Sequence, residues 1–378
     1  MFWRWWVRDT FCKAPSSPPP VLRGRDRVGV SWANRCSTVE GKPSTPTPTL
    51  PLSTWGGGNS LQQATRTKRW SFLPAAALAI LAVGAGPIPA ENRIPAAITR
   101  TVELPRNHPM TMPTDVAVDA LGYLYVADGV NDRIARFAPS GNLDAILYGP
   151  KESPLSRPIG VAIDRDGALW IADTGNHRLL VRSPEGRDYK TISVPSAAAD
   201  KPADPTGVVV RSDGARTYVA DCDNQRVLVL DNATGRWTAL GEWGISLGQF
   251  RWPFMLCMGP EDHVVVSESV GARLQLISSD NRWAGQIGHF GVAMGDLYRP
   301  KGVAVDGAGR IFVGDSSLGV IQAFNDAGKL LGVVTDDAGQ PLRFDHPMGM
   351  RFDAAGTLYV VELGANRVAV VALKTAGK

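Results

Sequence analysis

Cysteine is scarce in this sequence, and the motifs that bind haem or zinc through cysteine are missing. The 378 residues include four cysteines, two of them before residue 40, and neither Cys-x-x-Cys nor Cys-x-x-Cys-His occurs. So few thiols exclude a disulfide-dense scaffold, and the missing motif excludes covalent haem attachment. Cys222 begins a predicted loop and Cys257 lies within a later predicted strand, so we expect both to be unpaired.

A strong charge of one sign is also lacking. The chain carries 40 Lys and Arg against 36 Asp and Glu, but residues 1–90 hold 11 of the basic and 3 of the acidic side chains. The remaining 288 residues therefore carry 29 basic and 33 acidic groups. The body of the protein is mildly acidic, so its charge does not favour nucleic acid as a partner.

Residues 1–65 lack any sustained helical or strand periodicity. Runs such as SSPPP and KPSTPTPTLP prevent continuous strand pairing, because proline cannot donate to a sheet. We expect this segment to be a disordered extension or sequence upstream of the true start site. The two alternatives stay open.

Residues 66–90 have the pattern of a targeting segment. Three basic residues precede an uncharged apolar run over residues 72–85, and small residues and prolines follow in GAGPIPA. This order is typical of a signal-peptide helix, which predicts export to the periplasm or secretion. An uncleaved segment would instead be an N-terminal membrane anchor. Pro74 and the later prolines weigh against a full span, and both forms stay open.

Residues 91–378 contain six copies of one repeat. Each copy opens with proline and an alternating apolar run, as in PIGVAID and PKGVAVD, and the opening prolines are spaced 45 to 48 residues apart. A second run ends in an acid, as in GALWIAD, an arginine follows five residues later in five copies, and further apolar runs complete the unit. Short alternating runs between turn residues predict four antiparallel strands per copy. This period is typical of a propeller blade. We therefore predict an all-β, six-bladed β-propeller of four-stranded antiparallel blades.

These copies resemble the NHL repeat. The shared pattern is PxGVAVD, then GxLYVAD, then NxR, and IADTGNHRLLV at 171–181 contains the Asn-His-Arg element. The resemblance covers about residues 95–374 and implies an NHL-type six-bladed propeller. The fourth copy departs from the pattern with Met255 at the opening glycine, and the fifth with Val320 at the arginine.

The last copy is too short to supply four strands. Only 31 residues follow Pro347, and the alternating run AITRTVEL at 97–104 precedes the first copy without belonging to it. We predict that this N-terminal strand closes the last blade and removes an open sheet edge.

The repeated acid and arginine are predicted to be structural, since nearly every copy has them. The acid can accept hydrogen bonds from turn N–H groups, and the arginine can form a charge-assisted bond to the acid or to a neighbouring blade.

Resemblance to propeller enzymes does not extend to their metal ligands. The peptidyl-α-hydroxyglycine α-amidating lyases, which these repeats resemble, bind zinc through a histidine directly after the opening proline of three blades. No zinc ligand occupies the equivalent positions here, which hold Thr114, Ile159, Thr206, Phe254, Lys301 and Met348. Gluconolactonase-like propellers match in fold alone.

We predict no metal, no cofactor and no catalytic residue. An enzyme with a site at the channel mouth, and a structural component of an envelope electron-transfer assembly, remain as alternatives.

The residues around the opening prolines break the repeat. Loops that enter the innermost strands of a propeller converge at one mouth of the central channel. Six residues there form the predicted binding rim, which we expect to be cationic and aromatic: Arg157, Trp252, Tyr298, Arg299, Lys301 and His346. Arginine and tryptophan are frequent anchors of interfaces. We therefore predict a monomeric, non-catalytic binding scaffold for a partner protein or an anionic ligand.

Overall fold

The computed structural model describes residues 88–374. The predicted disordered extension at 1–65 and nearly all of the predicted signal peptide or anchor at 66–90 lie outside the described residues. Within 88–374, no helix is long and apolar enough to cross a membrane.

Four-stranded antiparallel sheets make up most of the described chain, and four of them stand alone. In each, the strands follow chain order from the innermost to the outermost. The first sheet contains β2 (Val116–Val118), β3 (Leu124–Asp128), β4 (Arg133–Phe137) and β5 (Leu143–Leu147). The second contains β6 (Pro158–Ile163), β7 (Leu169–Asp173), β8 (Arg178–Arg182) and β9 (Tyr189–Ser193). The third contains β10 (Pro205–Val210), β11 (Arg216–Asp221), β12 (Arg226–Asp231) and β13 (Trp237–Leu240). The fourth contains β16 (Pro253–Met258), β17 (Val264–Glu268), β18 (Arg273–Ile277) and β19 (Trp283–Ile287).

The strand β1 (Arg93–Val102) joins the last two groups of strands into one eight-stranded sheet. One group contains β20 (Pro300–Val305), β21 (Ile311–Asp315), β22 (Val320–Phe324) and β23 (Leu330–Thr335). The other contains β24 (Pro347–Phe352), β25 (Thr357–Glu362) and β26 (Arg367–Leu373). Residues 96–102 of β1 pair antiparallel with β26, so the predicted closing strand is confirmed. Residues 93–95 also pair in parallel with β23, a link that was not predicted.

Regular structure outside these sheets is short. A two-stranded parallel ribbon pairs β14 (Glu242–Trp243) with β15 (Gln249–Phe250). Single 3-10 turns occupy Ala90–Asn92, Gly129–Asn131, Thr174–Asn176 and Pro260–Asp262.

Asp-x-x-Gly turns join several first and second strands. In the second sheet, Asp164 accepts hydrogen bonds from the N–H groups of Asp166 and Ala168 at 3.0 and 2.9 Å, and Gly167 takes a φ of 85°. Aspartate at the start and glycine at the left-handed position are what such a turn requires. These acids therefore serve the hairpins.

The innermost strands contact one another in cyclic order, from β2 through β6, β10, β16, β20 and β24 back to β2. The repeated glycine makes this approach possible. A Cβ on Gly160 would clash with the carbonyl oxygen of Thr206, and one on Gly302 would clash with that of Met348. Asp115 takes the glycine position in the first copy, where its carboxylate accepts a hydrogen bond from the N–H of Val161 in the next sheet at 3.0 Å.

The apolar core lies between adjacent sheets. Trp170 and Leu179 of the second sheet pack in one cluster with Val208, Val219 and Leu228 of the third, all of them buried. Successive side chains of a strand point to opposite sides of its sheet. Each sheet therefore presents one apolar face to the sheet before it and another to the sheet after it. The sheets are thus held together by side chains, and the hydrogen-bonded ladders run within each sheet.

Deleting residues 91–106 is expected to destabilise the fold. The strand β1 buries Ile94 and Val102, and complete burial of two such side chains contributes roughly 3–6 kcal/mol. That is a large part of the ~5–15 kcal/mol typical of a whole domain. Thermal denaturation and size-exclusion chromatography should show a lower melting temperature and aggregation. Melting of the deletion variant at the temperature of the full-length protein would show that β1 is dispensable.

Candidate functional site

A buried carboxylate near the end of each second strand positions the loop that leads to the channel. The six acids are almost completely buried and accept a hydrogen bond, 2.6–2.9 Å long, from an N–H one or two residues before the opening proline: Asp128, Asp173, Asp221, Glu268, Asp315 and Glu362. In five copies the arginine Nε donates to the same carboxylate at 2.6–2.7 Å. Arg178, for example, also donates to the carbonyl of Ser153 at 2.7 Å. The structural interpretation of the acid and the arginine is confirmed.

The fifth copy, which lacks the arginine, satisfies its acid differently. Asp315 accepts hydrogen bonds from four backbone N–H groups at 2.6–3.1 Å, those of Tyr298, Arg299, Ser317 and Leu318. Several N–H donors stabilise a carboxylate without a cation. Val320 then lines a small apolar cleft that also contains Ile88 and Met294. Replacing the arginine with valine therefore makes room for the segment that precedes β1.

Four of the six residues before the opening prolines have left-handed backbone conformations. The φ values of Met112, Arg157, Trp252 and His346 are 52°, 45°, 58° and 55°. Such a conformation costs a non-glycine residue roughly 1–2 kcal/mol. Hydrogen bonds from the preceding repeat hold it: the Arg157 N–H donates to Asp132 and the Trp252 N–H to Gln225, both at 2.7 Å. Left-handed non-glycine residues of this kind cluster at functional sites.

Side chains directly after the opening prolines close the channel at this mouth. Ile159, Phe254 and Met348 are buried. Thr114 and Thr206 are also buried, and each hydroxyl donates to a carbonyl of the next sheet, at 2.7 and 2.8 Å. The mouth is therefore plugged, which favours binding at its surface over passage of a ligand through the channel.

Lys301 brings a positive charge into this plug. Its Nζ lies 3.9 Å from the ring centroid of Phe254, a cation–π contact. Burial lowers the pKa of Lys301 to about 8, the nearby Cys222 acts against that shift, and Arg299 adds to it. Among the described residues, no carboxylate forms an ion pair with Lys301.

Arg299 and Tyr298 lie beside Lys301. The guanidinium of Arg299 donates a long hydrogen bond of 3.4 Å to the carbonyl of Ser269 and lies 5.7 Å from the ring centroid of Tyr298. Within residues 88–374, Arg299 has no ion-pair partner either. The cations of the fifth copy thus differ from the arginines at the second-strand acids, whose charge is neutralised.

The third copy contributes acids to the same mouth. The side-chain ligand atoms of Asp204, Cys222 and Asp223 all lie within 4.8 Å of one another. Burial raises the pKa of Asp204 to about 6, Asp223 adds to the shift, and Arg157 opposes it. Acidic and basic groups therefore meet at this mouth, because Cys222 lies near both Asp204 and Lys301. The cationic character of the rim stays a prediction.

The remaining rim residues have different surroundings. Arg157 is exposed and lies within electrostatic reach of Asp204. Trp252 is half-buried and packs against the main apolar cluster. His346 is exposed, and its Nδ1 lies 2.7 Å from the carboxylate of its neighbour Asp345. Their position before the opening prolines places them at one end of the inner strands, and their role in binding stays a prediction.

Two apolar loops beside the rim went unnoticed in the sequence. Residues 241–250 and 288–297 share the pattern Gly-x-aromatic-Gly-x-x-x-Gly and lead into β16 and β20. Each is anchored by a buried glutamine, since Gln275 accepts from the N–H of Gly248 at 2.7 Å and Gln322 from that of Gly295 at 2.8 Å. Of nine large apolar side chains exposed within 88–374, these loops contribute five: Trp243, Ile245, Leu247, Phe290 and Met294. We call these five side chains the loop patch. The shared pattern was the available signal.

The NHL family model matches residues 155–181 of the second repeat. The chain carries an NHL repeat. It is also 29% identical over 132 residues to the protein brain tumor of Drosophila melanogaster, a match that covers 34% of this chain and 12% of that protein's length.

Solved β-propellers share the fold of this NHL-repeat chain. A streptogramin B lyase superimposes with a TM-score of 0.56 and 11% identity over 73% of this chain and 98% of its own. A gluconolactonase from Xanthomonas campestris superimposes with a TM-score of 0.54 and 16% identity over 76% of this chain and 98% of its own. At these identities the likeness concerns the fold alone.

Replacing Arg178 with alanine is expected to cost about 3–5 kcal/mol of unfolding free energy, because the Asp173 carboxylate would lose its buried counter-charge. Chemical denaturation measures the loss. Arg282, which is exposed and lies 3.0 Å from Asp280, is the matched control and should cost at most about 1 kcal/mol as alanine. Equal costs for the two variants would contradict the structural role.

Proposed function

We propose that this chain is an exported, six-bladed NHL-type propeller that acts as a non-catalytic binding module. Its binding face is the plugged mouth, and its partner is a protein segment with acidic and apolar side chains. The observation that carries the proposal is that the two loops of the loop patch lead into the end of the inner strands that holds Arg299 and Lys301, and that Phe290 contacts Tyr298 beside them. These two cations have no ion-pair partner among the described residues.

The arrangement of strands supports a rigid disc as the scaffold. The inner strands contact each other in a closed cycle, and β1 links the sheets of the fifth and sixth copies. A closed ring leaves only short, protected sheet edges and fixes the loops at its mouth relative to one another. Loops on a rigid scaffold are a common location for binding residues.

The loop patch supports a protein partner. Trp243, Ile245 and Phe290 are each at least 66% exposed. Five of the nine large apolar side chains exposed within 88–374 fall in these two loops, and a concentration of exposed apolar side chains is a mark of interaction sites. A large aromatic side chain that becomes buried against a partner is the kind of residue that dominates binding energy.

The two cations support acidic groups on that partner. A guanidinium binds a carboxylate through two parallel hydrogen bonds, and partial burial strengthens the attraction relative to bulk water. Asp204 and Asp223, which lie beside Cys222 near Lys301, would repel a second acidic group. This charge pattern favours one orientation of the bound segment.

A fluorescent peptide of alternating glutamate and leucine is expected to bind the wild-type protein, as measured by fluorescence anisotropy. Replacing Arg299 with alanine should weaken binding about ten-fold or more, because charge-assisted contacts are lost. Raising the salt from about 50 to about 300 mM should weaken binding of the wild type, since the Debye length shortens. The melting temperature should stay nearly unchanged.

Alanine at Arg282, an exposed arginine paired with Asp280, is the control for the loss of one positive charge. It should bind the peptide as the wild type does. Serine at Trp243 and Phe290 should weaken binding without changing its salt dependence. Binding that is absent in the wild type, or lost equally in the Arg282 variant, would contradict the proposal.

A metal-dependent propeller enzyme is the second candidate, favoured by the cluster of Asp204, Cys222 and Asp223. Thiolate and carboxylate groups are zinc ligands, and three protein ligands leave a fourth position for water or substrate. Cys222 is 7% exposed, and its thiol has no hydrogen-bond partner among the described residues. Two features place this candidate second: burial raises the pKa of the Cys222 thiol well above its usual value, and Lys301 lies nearby.

Zinc titration by calorimetry distinguishes the two candidates. The enzyme candidate requires one equivalent of Zn²⁺ to bind, with release of protons, and requires serine at Cys222 to abolish that binding. Serine at Cys257, the other buried free thiol, is the matched control and should leave it intact. The binding-module proposal expects no stoichiometric zinc.

A further inference from the structure

We propose that the end of the channel opposite Lys301 is a binding site for a small carboxylate with an apolar tail. This site is separate from the proposed partner-binding face. It is a cavity of about 260 Å³, and the last two residues of each of the six innermost strands line it. Ten of the twelve lining residues are alanine, valine, isoleucine, methionine or phenylalanine, and the other two are Cys257 and Arg351.

The cavity is closed on one side and open on the other. Towards Lys301, neighbouring inner strands approach so closely that a Cβ on Gly160 or Gly302 would clash with the next strand. The buried side chains of Phe254 and Met348 lie beyond that constriction. In the other direction, lining residues such as Val305 and Phe352 are only half-buried. A ligand would therefore enter from the face at which the inner strands end.

Arg351 is the one charged residue in the cavity wall. It is half-buried, and its guanidinium has neither an ion pair nor a hydrogen bond within the described part of the chain. Its charge acts on the buried Asp115, whose carboxylate already accepts the N–H of Val161. Burial raises the pKa of Asp115 to about 6 and that of the Cys257 thiol to about 12. The thiol is thus neutral near pH 7 and does not compensate the guanidinium.

These properties define the class of ligand. Apolar side chains around one well-placed charged group are typical of small-molecule sites, and here the exposed wall surface is more polar than apolar. A volume of 260 Å³ equals that of roughly nine water molecules at ~30 Å³ each, so the ligand has about ten non-hydrogen atoms. A carboxylate suits a guanidinium because it can accept two parallel hydrogen bonds. The site therefore fits a medium-chain fatty acid or a small aromatic acid.

Octanoate is the probe, and 1-octanol is the neutral probe with the same chain. Isothermal titration calorimetry of the full chain at pH 7 is expected to show one saturable octanoate site and much weaker binding of octanol. Replacing Arg351 with glutamine should weaken octanoate binding about ten-fold or more, because the charge-assisted pair is lost. Replacing Arg282 with glutamine removes an exposed charge and should have no effect.

Three further variants locate the site. Val305→Trp fills the cavity and should abolish octanoate binding while Arg351 is retained. Asp115→Asn removes the opposing charge and should tighten binding, an increase that a loss of structure would not produce. Arg299→Ala changes the other mouth and should leave octanoate binding unchanged, whatever it does to peptide binding.

The proposal is overturned if octanoate does not bind, or if Arg351→Gln binds it as tightly as the wild type does. It is also overturned if octanol binds equally well, or if Arg299→Ala rather than Arg351→Gln removes binding. Should Val305→Trp fail to fold, as judged by its melting curve, Arg351→Gln and Asp115→Asn still decide the outcome through opposite changes in affinity.

Discussion

A buried carboxylate at the end of each second strand connects three parts of a repeat. Asp173 accepts the N–H of Ser156 in the loop before the inner strand and the Nε of Arg178 at the start of the third strand. The same guanidinium then donates to carbonyl oxygens of the incoming loop. A buried charge is tolerated only when hydrogen bonds and a counter-charge compensate it, so each part of this unit requires the others. The path of every loop at the channel mouth depends on it.

This arrangement divides the cationic side chains near the channel mouth into two groups, those paired with a buried acid and those without an acidic partner among the described residues. The arginines bound to second-strand acids are satisfied within the fold. Arg299 and Lys301 belong to the copy in which Asp315 is satisfied by backbone N–H groups, and no acid of the described chain neutralises them. The departure of the fifth copy from the repeat thus coincides with its cationic surface and with the cleft that contains Ile88.

Close approach of the inner strands divides the channel into two chemically different ends. At one end, bulky residues and Lys301 form a plugged, bipolar mouth bordered by exposed aromatic side chains. At the other, small and branched apolar residues leave a cavity with Arg351 in its wall. The division follows from the glycines at 160 and 302, because any side chain there would force the strands apart. A protein segment suits the first end, and a small molecule suits the second.

The repeat pattern by itself determined the all-β fold with four-stranded sheets, the pairing of the segment around residue 98 with the last sheet, and the structural role of the acid and arginine. Local periodicity and turn residues carry that information because strands, hairpins and their hydrogen bonds are set by neighbours in sequence. Only the tertiary structure brought Asp204, Cys222 and Asp223 together with Lys301 from a different repeat, and only it placed Arg351 in the wall of a cavity. Residues nearly 100 positions apart meet there through packing around the ring, and a repeat that looks the same in every copy does not encode which unlike side chains will face each other.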